Sequence, residues 1–201
     1  MRRRKRAVDL VAAAALLGFF APLILLLGLL VMLDGGPPFY GHRRIGAEGR
    51  VFRCWKFRSM IVNADTMLDQ ILGSDASARA EWSRDFKLRC DPRITPIGRF
   101  LRKTSLDELP QLLNVLAGNM SLVGPRPIVE GEIDRYGSAF QAYCSCRPGI
   151  TGLWQIAGRN NVEYGRRVEL CERYVEGWAL WLDFVILVKT VVVITRRIGA
   201  Y

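Results

Sequence analysis

An almost unbroken apolar run from Ala7 to Leu33 constrains this chain more than any other feature, since Asp9 is the only charge inside it. A helix of that length covers the roughly 30 Å hydrocarbon core of a bilayer. Ahead of it stand Arg2, Arg3, Arg4, Lys5 and Arg6, and behind it His42, Arg43, Arg44, Arg50 and Arg53. A secretory signal shares this outline, but the length of the run and the missing small-residue cleavage site before Asp34-Gly35-Gly36-Pro37-Pro38 argue against one. Basic flanks on both sides favour two cytoplasmic ends. Pro22 removes a backbone hydrogen bond near the middle of the run and disfavours helical geometry at Ala21, so a kink or break is expected there. A re-entrant helix that bends at Ala21-Pro22 and returns to its own face satisfies both observations and is the preferred reading. A kinked single crossing is the alternative, because proline is tolerated once its freed carbonyl finds a partner. Asp9 is expected to pair with Lys5 or Arg6 at the interface, which costs less than a charge at mid-bilayer.

At 201 residues the chain accommodates this segment, residues 1–36, and one catalytic domain, residues 37–201. Lys and Arg number 29 against 19 Asp and Glu, a formal charge of +10, which points to an anionic partner: nucleic acid, acidic lipid or a phosphorylated substrate. Five cysteines without a CxxC pair, and His42 as the only histidine, lack zinc-ligand spacing and read as reduced thiols. Strand-like alternation at Cys144-Ser145-Cys146 would place two of them on one face, as packing.

Gly46 to Phe57 reads as a glycine turn followed by apolar and polar alternation, a short strand or hairpin with Lys56 and Arg58 near its end as phosphate contacts. Residues 61–90 suggest a helical insertion of one or two helices broken near Gly73-Ser74 and ended by Asp91-Pro92. A short helix from Ile97 is expected to point Arg99, Arg102 and Lys103 toward the adjacent carboxylates Asp107 and Glu108.

Ser105 followed three residues later by Glu108 matches a capping box, which needs no catalysis to explain it. Pro110 fits within a first helical turn only if Asp107 is the N-cap, so an irregular helix start is expected. For chemistry, a carboxylate can attack phosphorus and form an acyl-phosphate, and a neighbouring carboxylate suits magnesium shared with substrate phosphates. Arg102 and Arg126 would neutralise phosphate oxygens, and Pro125 and Pro127 stiffen the loop that carries Arg126.

These residues resemble the bacterial monotopic phosphoglycosyl transferases. The likeness rests on Lys5-Arg6 through Asp9, the proline-containing apolar helix, Lys56-Phe57-Arg58-Ser59-Met60, Arg102 through Gln111, Met120 through Pro127, and Arg147 through Gln155 in this order. The resemblance implies an exopolysaccharide-type enzyme (EC 2.7.8) of the bacterial inner membrane, its catalytic domain on the cytoplasmic face. Such an enzyme moves hexose-1-phosphate from a UDP-hexose, galactose or glucose preferred, to undecaprenyl phosphate through a covalent aspartyl intermediate, releasing UMP. It further implies Asp107 as nucleophile, Glu108 as Mg2+ ligand, Arg126 as a nucleotide or phosphate contact, and Lys56, Arg102 and Asp183 as further site members. Ala21-Pro22 stands where the family usually has Ser-Pro, and His42 where glutamine is common.

Arg159, in the polar stretch after Trp154, is a candidate for sugar choice in the resembling subgroup, or else part of a solvated helix face. Residues 177–198 are apolar but carry Asp183 and Lys189, which would be costly at mid-bilayer. Together with Trp178, Trp181 and Arg196-Arg197 they fit an interfacial or core helix. The expected fold is α/β, mostly helical with a small sheet. Inner-membrane lipid is an expected partner, nucleic acid is not, and homodimerisation is left open. The non-enzyme alternative, a membrane-tethered basic module for acidic lipid or nucleic acid, explains the charge but not the Asp107-Glu108 pair.

Overall fold

The computed structural model describes residues 2–85, 88 and 90–196, so Arg197 and the end of the expected 177–198 helix lie outside the described residues. Helix α1 (Arg2–Met32) holds the apolar run. A hairpin of β1 (Phe39–Ile45) and β2 (Val51–Phe57) follows, antiparallel from Phe39 opposite Phe57 to Ile45 opposite Val51. Next come α2 (Ala64–Ser74), α3 (Ala76–Asp85), α4 (Pro96–Thr104) and α5 (Gln111–Ala117). Strand β3 (Ser121–Val123), α6 (Ile133–Tyr136), α7 (Ala139–Cys144), β4 (Gly149–Thr151), α8 (Leu153–Ile156), α9 (Tyr164–Glu176) and α10 (Leu180–Thr195) follow among the described residues. Strands β3 and β4 pair in parallel, so the fold is mostly helical with two small two-stranded sheets. Cys144 closes a helix, not the strand its alternation suggested.

Helix α1 stays helical through Pro22, so of the kink or break expected there the break does not occur. One missing backbone bond is a small loss in a helix of 31 residues. Being apolar on every side, its sequence does not reveal which face packs inward. The structure does: Asp9, Ala13, Leu27 and Val31 are buried, with Leu17 and Ile24 half-buried between them, a stripe at three- and four-residue spacing. The opposite side exposes Val11, Phe19, Leu25, Leu26 and Leu29. Among the described residues, α1 is the one helix long and apolar enough to cross a membrane.

Both ends of α1 are tied to the same folded body. At the start, Lys5 Nζ lies 2.5 Å from Asp183 Oδ2, Arg6 donates to the Val115 and Leu116 carbonyls, and Asp9 accepts from Ser121 Oγ and the Leu122 N–H. Asp9 thus caps the start of β3 and does not pair with a neighbouring basic residue at an interface. At the other end, Leu27 and Val31 pack with Phe57 and Leu101. Arg58 there clamps the chain through Asp34 and the Val31 and Pro37 carbonyls.

The main core joins Ala13 of α1, Phe52 and Cys54 of β2, Leu112 and Val115 of α5, Leu122 and Val123 of β3, Tyr174 of α9 and Ile186 of α10. Asn114 fastens α5 to β2: its Oδ1 accepts from Trp55 N at 2.9 Å and its Nδ2 donates to Arg53 O at 2.7 Å. That pairing fixes the strand carrying Lys56 against the helix that follows the two carboxylates. Strands β3 and β4 meet so closely that a Cβ on Gly149 would lie 2.0 Å from the Gly124 N, so only glycine fits. Helix α10 buries Asp183, Ile186 and Val193 and exposes Trp181, Phe184, Val188 and Val191, being part core helix and part apolar surface.

Candidate active site

Two carboxylates sit on a single 3-10 turn, Leu106–Glu108, between α4 and α5. Helix α4 starts at Thr95, whose side chain accepts from the Gly98 N–H, and it ends at Ser105 in the left-handed region with φ 59°. The capping box is not formed, because Ser105 makes no side-chain cap and its hydroxyl accepts instead from Arg159 Nη2. Pro110, at φ −62°, immediately precedes α5, where a missing N–H costs little, and the irregular helix start follows. This geometry leaves Asp107 buried at 8% exposure and Glu108 half-buried beside it.

Lys56 reaches in from β2 and bridges the pair, its Nζ 2.6 Å from Glu108 Oε1 and 3.7 Å from Asp107 Oδ2. Burial pushes the Asp107 carboxyl above the usual carboxylate range; Lys56 and Arg102 pull it back incompletely, and the Glu108 charge adds to the rise. Glu108 feels burial too, but the Lys56 charge and hydrogen bond, then Arg159 and Arg126, outweigh it and hold this carboxyl below its ordinary value. Lys56 in turn loses affinity for its proton through burial and regains more from Glu108 and Asp107, so its ammonium is strengthened. Neighbouring acids with separated proton affinities are suited to separate roles.

Three guanidinium groups surround the turn. Arg102 of α4 is held by its Nε bond to Ser59 Oγ at 2.8 Å and acts on Asp107 by charge, while Arg99 and Lys103 are exposed. Arg126 is braced by Glu132 at 2.9 Å, lies 5.7 Å over the Trp154 ring, and its charge reaches Glu108. Arg159, itself left-handed with φ 55°, completes the set through Ser105. Arg58 and Asp183 are placed elsewhere: Arg58 at the end of α1, and Asp183 accepting from Lys5, Tyr174 Oη and Trp178 Nε1 at its start.

Glu132 is an addition that motif spacing does not single out, while from sequence Ser105 reads as a helix cap and Gln155 only as the end of the Arg147 to Gln155 motif. Gln155 donates through Nε2 to the Ile150 carbonyl at 3.2 Å, which fixes the amide and leaves its buried Oε1 without a partner. A cavity of about 210 Å³ runs past Gln155, Arg159, Ser105 and Glu108 between α1 and α10. No cluster of three acidic, histidine or cysteine side chains suited to a metal occurs among the described residues. A two-carboxylate site of hard oxygens nevertheless fits magnesium, which takes one or two carboxylates and completes its shell with water and substrate phosphates.

A family model described as bacterial sugar transferase matches residues 1–197. The chain is 54% identical over 197 residues to the undecaprenyl-phosphate galactose phosphotransferase of Salmonella typhimurium, covering 98% of this chain and 41% of that protein. It is 53% identical to the UDP-galactose-lipid carrier transferase of Erwinia amylovora over the same shares. To the exopolysaccharide production protein ExoY of Rhizobium meliloti it is 50% identical over 98% of this chain and 88% of that protein. The chain thus spans less than half the length of the first two relatives.

Proposed function

The chain belongs to the bacterial sugar transferase family, and from that premise we propose that it transfers a hexose-1-phosphate from a UDP-hexose to undecaprenyl phosphate. Galactose is the first sugar to test, since it is named in two relatives above 50% identity. The observation that carries the reading is the Lys56 bridge across Asp107 and Glu108.

In this reading an Asp107 oxygen attacks the phosphorus that bears the sugar. The bond from that phosphorus to the bridging oxygen of UMP breaks, and UMP leaves with the electron pair. An aspartyl-phosphohexose is left on the enzyme. A phosphate oxygen of the lipid acceptor then attacks the same phosphorus and displaces Asp107, giving a lipid diphosphate sugar. Lys56, Arg102 and Arg126 stabilise charge on the phosphate oxygens from fixed positions, so little reorganisation accompanies the step. Glu108 would hold a magnesium ion, which when bound supplies further neutralisation of the donor phosphates.

The membrane setting belongs to the same proposal. Helix α1 serves as a monotopic, re-entrant anchor with both ends on the cytoplasmic side of the inner membrane, a reading supported by the contacts that both ends make with one folded body. The full chain incubated with magnesium, undecaprenyl phosphate and a panel of UDP-sugars should release UMP with at least one UDP-hexose. No release from any donor would favour a membrane-tethered binding module instead.

A further inference from the structure

The cavity beside the acid pair has two unlike ends. Leu16 and Phe20 of α1 form one wall and Leu187 and Val193 of α10 the other, while Arg159 and Glu108 stand at its polar end. The two walls belong to the helices that carry most of the large apolar side chains exposed among the described residues, including Phe19 and Leu26 on α1 and Val188 and Val191 on α10. The apolar lining is therefore supplied by the same two helices that present most of the exposed large apolar side chains.

The polar end is built under strain. Among the described residues, Ser105 and Arg159 are two of the three non-glycine residues with positive φ, at 59° and 55°, and they are hydrogen-bonded to each other. Left-handed backbone is unfavourable for a residue with a side chain and persists where the surroundings enforce it. Here it holds a guanidinium at the mouth of an apolar groove, within electrostatic reach of Glu108.

A ligand matched to this shape has an anionic head and a long apolar tail. A nucleotide sugar, polar at both ends, does not fit it. Resting on the function proposed above, we propose that the α1–α10 groove holds the head-proximal part of the prenyl chain of the lipid acceptor, with Arg159 receiving its phosphate beside Asp107. The donor then approaches from the Arg126 and Arg102 side, and the two substrates reach the same phosphorus from different directions.

Leu16→Trp and Leu187→Trp fill the groove from opposite walls, and Leu16 is already 38% exposed, so a larger side chain there is tolerated by the fold. With the full chain in lipid nanodiscs, two quantities are compared: KM for undecaprenyl phosphate in complete turnover, and exchange of labelled UMP into UDP-hexose without acceptor. Both variants should raise the acceptor KM about tenfold, the loss expected when burial of about two methylenes is forfeited, while UMP exchange persists. Both should also narrow the preference of the unsubstituted protein for undecaprenyl phosphate over a five-carbon prenyl phosphate. An unchanged acceptor KM in both variants, or an equal fall in UMP exchange, would overturn the groove assignment alone. Absence of both UMP exchange and transfer in the unsubstituted protein would overturn the underlying function and the groove with it.

Discussion

Because Lys56 Nζ contacts both carboxylates, replacing it by methionine removes one cation from Asp107 and Glu108 together. Both acids then hold their protons more tightly, so the acid limb of the kcat/KM profile should move to higher pH, on top of a loss of about 10²-fold or more from the missing charge. A profile that falls in height without moving along the pH axis would contradict the bridge. Asp107 makes a second prediction, in stability. Its folded-state proton affinity lies above that of the unfolded chain, so its stabilising contribution is present at low pH and is lost as pH rises through the folded value. Above the unfolded value the raised proton affinity therefore costs stability relative to low pH. Asp107→Asn should abolish turnover and leave the melting temperature at pH 7 unchanged or raised, whereas a lowered Tm would refute the burial argument. At this scale Asp107, Glu108, Arg102 and Arg126 were legible in the sequence, since adjacent acids among basic residues are a local pattern. Lys56, 52 positions from Glu108, reads there only as a phosphate contact at a strand end and through the family resemblance. Arg159 was legible as a candidate, but its contact with Ser105 spans 54 positions and no local pattern announces it. Arg58 and Asp183 lie in equally suggestive segments, yet their hydrogen bonds go to the two ends of α1.

Elements place these residues through close backbone contact. A Cβ on Gly98 of α4 would lie 2.0 Å from the Ser59 carbonyl oxygen, a rigid neighbour immediately beyond β2. Gly98→Ala therefore has to push α4 away from the segment whose Ser59 Oγ holds Arg102. We expect about 1–3 kcal/mol of destabilisation by chemical denaturation, typical of overpacking, with activity lost in the same variant. Full stability would show that α4 shifts freely. The helices of the 61–90 insertion and the glycine-led strand were legible, because Gly73-Ser74, Gly46 and the apolar alternation are local signals. Strand β1 was not, since Phe39–Ile45 breaks the apolar alternation with Gly41 and the polar run His42-Arg43-Arg44 and gains its structure from pairing with β2. The inward stripe of α1 was hidden for the opposite reason, as every face of the helix is apolar.

At the scale of the whole molecule, the 31 residues of α1 amount to about 45 Å of helix measured along its path, and one folded body grips it at both ends. A single crossing would set those ends on opposite sides of the bilayer, beyond reach of the same body. Cysteines introduced as Arg3→Cys and Leu33→Cys should therefore both escape a membrane-impermeant thiol reagent on intact cells and both react after permeabilisation. Labelling of one alone would mean a single crossing. On the proposed function, the carboxylate pair, its cations, the anchor and the groove would serve one reaction in two halves, with a covalent enzyme between them. The most direct test of that claim is the intact mass of the full-length protein after UDP-hexose is added without acceptor. The account predicts a gain of one hexose phosphate mapped to Asp107, absent in Asp107→Asn and lost again when undecaprenyl phosphate is supplied. An unchanged mass in a protein that still turns over rapidly, or an adduct mapped to another residue, would contradict it.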